Sequence, residues 1–137
     1  MYKVAKAFSV VFFGFIVWII YLANTGQNSV FFELIKNVPH GDKIGHFGLF
    51  GILTLGVNFA FNLKKIEFAL VSVYVGSFLV FSFALIEELS QHLISNRTLD
   101  TIDFLADLTG IVTFGMITKL LHNHRSINRK VSPNKVD

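Results

Sequence analysis

Polar residues interrupt long apolar stretches of this 137-residue chain at spacings that chemistry can use. Asp42 and His46 are four residues apart, Glu88 and Gln91 three apart, and Asp103 and Asp107 four apart with Gly110 three further on. On a helix, residues three or four apart share a face. A histidine titrates near neutrality, and a carboxyl group raised by burial approaches the same range. His46 with Glu88 or Asp103 is therefore a candidate acid/base pair. Arg97 carries the planar fork that clamps two carboxylates or a phosphate, and Lys43 is a second cation beside it. Asp42 and Gln91 would orient these groups, and Asp107 adds a carboxyl group one turn after Asp103. Asp42 follows Pro39 and Gly41 and is expected as the N-cap of the helix that carries His46.

Other chemistries have less support. There is no cysteine, so no thiolate nucleophile, disulfide or cysteine metal site exists. Ser90 and Ser95 have no motif around them. His46, Glu88, His92, Asp103 and Asp107 include usable ligands, but no two of them have the close His-x-x-x-His or Glu-x-x-His spacing of a standard site, and no metal or cofactor is expected.

The elements that must position these residues are apolar. The chain is 53% hydrophobic and 15% charged, contains 16 Phe, and has a mean hydropathy of +0.59. Ordinary soluble domains are about 25% charged. Four segments, residues 7–23, 44–63, 68–86 and 101–118, are long enough to cross a hydrocarbon core of about 30 Å at 1.5 Å per residue. The fourth carries Asp103 and Asp107 in its first turns. The first lacks a clean small-x-small cleavage site and is expected to stay as a helix, not to be removed as a signal peptide. Residues 64–67 read as a tight turn. Gly14, Gly48, Gly51 and Gly56 read as helix contact points, and Gly110 as a place of close backbone approach.

Basic residues set the orientation. With the N-terminus inside, Lys3, Lys6, Lys64, Lys65, Lys119, Arg125, Arg129, Lys130 and Lys135 lie inside, and Lys36, Lys43 and Arg97 outside. The reading is an all-α, four-helix membrane protein with both termini cytoplasmic. Residues 1–121 form the membrane domain, and 122–137 a basic tail expected to be disordered. The tail needs only the anionic inner leaflet as its partner and no nucleic acid. All the chemistry-bearing residues then collect on the outer side. A charge within the hydrocarbon costs about 2.5–3.5 kcal/mol on insertion scales, so several on one side suggest a shared site. The second, third and fourth helices are expected to build it, with the first packed outside.

In order and spacing, Asp42-Lys43-x-x-His46-Phe47-x-x-Phe50, then Glu88-x-x-Gln91, then Arg97, Asp103, position 107 and Gly110 resemble the VanZ-like family of small bacterial membrane proteins. The resemblance covers roughly residues 5–121. It implies the bacterial cytoplasmic membrane, a link to the cell envelope, and low-level teicoplanin resistance. The chain departs from the family at Asp107, where Asn is usual, and at Phe50 and Asn96, where Tyr and Pro are frequent. Three readings of the cluster stand beside one another: a network that only fixes helix packing, an enzyme acting on a lipid-linked or headgroup substrate, and a binding site for an envelope lipid, glycan or glycopeptide.

Overall fold

The computed structural model describes residues 2–27, 33, 35, 37–91, 93 and 100–131. Among them are four helices and one short hairpin: α1 (Tyr2–Asn24), α2 (Gly41–Ala60), β1 (Lys65–Glu67), β2 (Ser72–Tyr74), α3 (Val75–Gln91) and α4 (Thr101–Val131). The chain is helical, as its composition implies, and α1, α2 and the first 24 residues of α4 are long and apolar enough to cross a membrane.

Three boundaries differ from the sequence reading. The apolar run at 68–86 does not become one helix. Val71, Val73 and Tyr74 are strand formers, and Lys65–Glu67 pairs antiparallel with Ser72–Tyr74 before α3 begins at Val75. The expected turn at 64–67 is thus largely strand. At α2 the N-cap is His40, in a left-handed conformation (φ 56°) with no side-chain capping bond, and Asp42 sits in the first turn. At the far end, α4 does not stop with its apolar stretch. It continues through Val131, so the first part of the expected tail is helical.

The contacts order the helices. Asn58 of α2 meets Thr118 of α4, and His46 meets Asp107, so α2 and α4 run parallel. Asn58 also meets Ser77, while Phe50 stacks on Phe83, so α3 runs back against α2. Gly56 lies against Phe8 and Ser9, and Ile16 against Phe50, which makes α1 antiparallel to α2 as well. The α2–α4 seam is the closest: a Cβ on Gly110 would strike the Phe47 carbonyl oxygen, and one on Gly51 would enter the Phe114 ring. Gly14 and Gly48 face open space, contrary to the expectation that they mediate contacts.

Burial is inverted relative to a water-soluble bundle. Ile16, Phe50, Leu53, Val80, Ala84 and Ile111 form the apolar core. Yet Thr54, Asn58, Gln91, Asp107 and Thr118 are among the most deeply buried side chains, while Val10, Val11, Trp18, Tyr21, Ile86 and Met116 are exposed. Apolar surface on this scale is what lipid covers. The Asn58 node ties the end opposite His46. The Ser77 amide donates to Asn58 Oδ1 at 2.8 Å, and Asn58 Nδ2 donates to Ser77 Oγ at 3.0 Å and Thr118 Oγ1 at 3.2 Å. Asn58 thereby caps one of the first free amides of α3 from a neighbouring helix. Between α2 and the hairpin, Asn62 and Leu63 both take left-handed backbone (φ 56° and 59°), which is uncommon for residues with a side chain.

Candidate functional site

The first turn and a half of α2 carries Asp42, Lys43 and His46 toward the start of α4. Asp100 fixes that start. Its Oδ1 accepts the Ile102 amide at 2.9 Å, an N-cap bond, and its Oδ2 accepts Lys43 Nζ at 2.9 Å. The same ammonium meets Asp42 at 2.7 Å and Asp103 at 2.7 Å. An ammonium has three hydrogens, and three carboxylates surround this one. Lys43 joins α2 to α4 through hydrogen bonds to Asp42 and Asp100 and an ion pair with Asp103, and its charge is answered three times over within the protein. The expectation that it binds substrate therefore lacks support from its contacts. At Asp100, which lies outside the helices, the Lys43 ammonium and the Ile102 amide hold the carboxyl group below the usual carboxylate range.

One turn further on, His46 lies between the two acids of α4. Its Nδ1 shares a hydrogen bond of 2.9 Å with Asp107 Oδ1, and its Nε2 is 3.8 Å from Asp103 Oδ2. Two carboxylates one turn apart in an apolar medium oppose each other's ionisation. A proton on the imidazole between them offsets both. Asp107 is fully buried, and its Oδ2 has no hydrogen-bond partner among the described residues. The Phe50 ring lies parallel to the imidazole, with centroids 6.3 Å apart, and so holds it in plane.

From α3, Gln91 Nε2 donates to both oxygens of Glu87, at 2.9 and 3.0 Å. Gln91 therefore orients Glu87 and not Glu88, which the three-residue spacing had suggested. Glu88 is nonetheless in the cluster: it is buried, near Glu87, Asp103 and Asp107 and the backbone of Asp100. A crevice of about 120 Å³ opens beside these groups, lined by Asp42, His46, Phe50 and Glu87 on one side. Ile16, Ile19, Ile20 and Ala23 of α1 form the other wall. The first helix is part of the site after all, because its apolar stripe closes the crevice.

Of the sequence-derived residues, Asp42, Lys43, His46, Glu88, Gln91, Asp103 and Asp107 come together at one end of the bundle. Arg97 and His92 lie outside the described residues. Glu87 and Asp100 belong by sequence to the same outer polar group but carry no assigned role there; the four-residue spacing of Glu87 to Gln91 and the place of Asp100 directly before a helical pattern are the signals for the roles they take. The α1 wall leaves no mark beyond ordinary hydrophobicity. Among the described residues no group of three or more His, Asp or Glu is arranged to hold a metal ion.

Six carboxyl groups (Asp42, Glu87, Glu88, Asp100, Asp103 and Asp107) thus stand near one ammonium and one imidazole. Such a site can hold and hand on protons, and it favours positively charged or hydrogen-bond-donating groups over anions. Comparison with protein-family models, curated proteins and solved structures yields no match, so the site's chemistry is argued from its own geometry.

Proposed function

We propose that this chain is a VanZ-like protein of the bacterial cytoplasmic membrane. It binds the polar head of a lipid-linked or cell-wall component at the outer face and exchanges a proton with it through His46. The observation that carries this reading is the placement of His46: bridged to Asp107 and Asp103 on one side, and open on the other to a crevice walled by apolar residues of α1. A group entering there would lose water and meet a proton carrier flanked by buried acids, which is the arrangement proton transfer uses. Four crossings with both termini inside are part of this proposal, and the alternating direction of the helices supports it alongside the three helices long and apolar enough to span. Although α3 has only 17 residues, it reaches from the level of Asn58 to the level of His46, and so travels the same depth as α2. The basic residues then weight the inner side.

The resemblance supplies the readout. In cells that depend on this chain for teicoplanin tolerance, His46→Gln should abolish the tolerance while the protein still accumulates in the membrane. Glutamine fills similar space and can bond Asp107 but cannot titrate. Unchanged tolerance would remove the proton-transfer role.

A second reading, a scaffold whose polar cluster fixes packing, is favoured by Lys43, whose ammonium is surrounded by three carboxylates of the protein itself. Under that reading His46→Gln is silent for tolerance, and Lys43→Met alone reduces the amount of folded protein.

A further inference from the structure

A cavity larger than the crevice at the polar cluster lies elsewhere among the described residues. It measures about 720 Å³ and lies at the opposite end, between α1, α2 and α3. That is within the range of small-molecule sites, about 300–1,000 Å³. Its walls are apolar, formed by residues such as Val10, Phe13, Val57 and Phe83. Its polar lining residues are Lys6 and Ser9 of α1 and Asn62 and Lys64 after α2. An open apolar groove with two lysines in its lining matches an amphiphile with an anionic head.

We propose that this groove is a binding site for one anionic phospholipid, its acyl chain in the slot and its phosphate held by Lys6 and Lys64. The backbone around Lys64 is built to hold that residue in place. Asn62 and Leu63 take left-handed conformations, the Leu63 amide donates to the Asn58 carbonyl at 2.9 Å, and the Val75 amide donates to the Lys64 carbonyl at 2.9 Å. Left-handed backbone at two successive residues with side chains persists only where the surroundings fix it, and such positions concentrate at ligand sites. A second copy packed two-fold on the groove would set lysines against lysines. A neutral lipid would leave both ammonium groups unanswered. The proposal needs only that the chain lies in a bilayer. It stands whichever way the chain faces and whatever the His46 site does. With the N-terminus inside, the lipid belongs to the cytoplasmic leaflet.

The test uses the full-length protein, delipidated and offered phosphatidylglycerol or phosphatidylcholine in mixed micelles, with retained lipid counted by native mass spectrometry. The wild type should keep one phosphatidylglycerol, with at least about tenfold preference over phosphatidylcholine. The double variant Lys6→Gln/Lys64→Gln should lose that preference. Val10→Trp should expel the lipid with both lysines intact, because an indole at a groove-lining, exposed position fills the slot. Lys119→Gln, a basic residue of α4 outside the groove, should change nothing. Circular dichroism on every variant separates loss of lipid from loss of fold. Equal retention of the two lipids, full retention by the double variant, or equal loss in Lys119→Gln would each overturn the proposal.

Discussion

Asp100 does two jobs with two oxygens. One caps α4 and the other answers Lys43. Its folded-state pKa is lowered, so it contributes stability above the ordinary Asp value of about 3.9, and that contribution is lost as pH falls through the lowered folded value. The protection factor of the Ile102 amide against hydrogen exchange should therefore drop on acidification below about pH 4. In Asp100→Asn, which keeps a capping oxygen but cannot be protonated in this range, protection should be lower at neutral pH but insensitive to acid. A wild-type profile that stays flat to pH 2 would show that the ion pair adds nothing to the cap. The residue scale is also where the sequence was only half legible. Spacing along one helix brought out His46 with its neighbours and the Asp103/Asp107 stripe. It could not distinguish Glu87 from Glu88 as the partner of Gln91, because both are within one turn of it and both are buried.

Between elements, the α2–α4 seam depends on the absence of side chains at two places. A methyl group on Gly110 would meet the Phe47 carbonyl, a backbone atom that cannot swing aside. Gly110→Ala should therefore destabilise the protein by about 1–3 kcal/mol, even though alanine is the better helix former. Gly48→Ala, on the same pair of helices but facing open space, should be neutral or stabilising by up to about 1 kcal/mol. Denaturant titration in micelles would compare the two, and equal effects would mean that the seam is looser than its geometry. The sequence pointed to Gly110 through its place on the acidic stripe, but gave Gly48 and Gly51 equal standing because one-dimensional spacing does not say which face meets a neighbour. It also read residues 68–74 as helix. A short apolar run rich in valine fits either structure, and the pairing of Lys65–Glu67 with Ser72–Tyr74 decided for strand.

For the molecule as a whole, polarity is divided by depth. Acids crowd one end, lysines and the Asn58 node occupy the other, and exposed aliphatic and aromatic side chains cover the outside. The composition made the membrane legible at once, since so many apolar residues cannot be hidden inside so short a chain. Orientation rests on charge bias and is open to direct measurement. Because the chain has no cysteine, single cysteines report cleanly. Thr101→Cys, exposed at the acidic end, should react with a membrane-impermeant thiol reagent on intact cells. Ser72→Cys, exposed in the hairpin, should react only after lysis. The reverse pattern would put the acidic site in the cytoplasm and end the cell-wall reading.

The bridge from Lys43 and His46 to Asp103 and Asp107 also bears on biogenesis. Two acids in its first turns burden α4 as a solitary span, each costing about 2.5–3.5 kcal/mol near the middle of a bilayer and less toward its edge. The groups that neutralise them are on α2, which the ribosome completes some forty residues earlier. As a span, α4 should therefore depend on α2 for insertion, and a chain whose α2 has lost Lys43 and His46 should release α4 late or leave it at the surface for quality-control proteases.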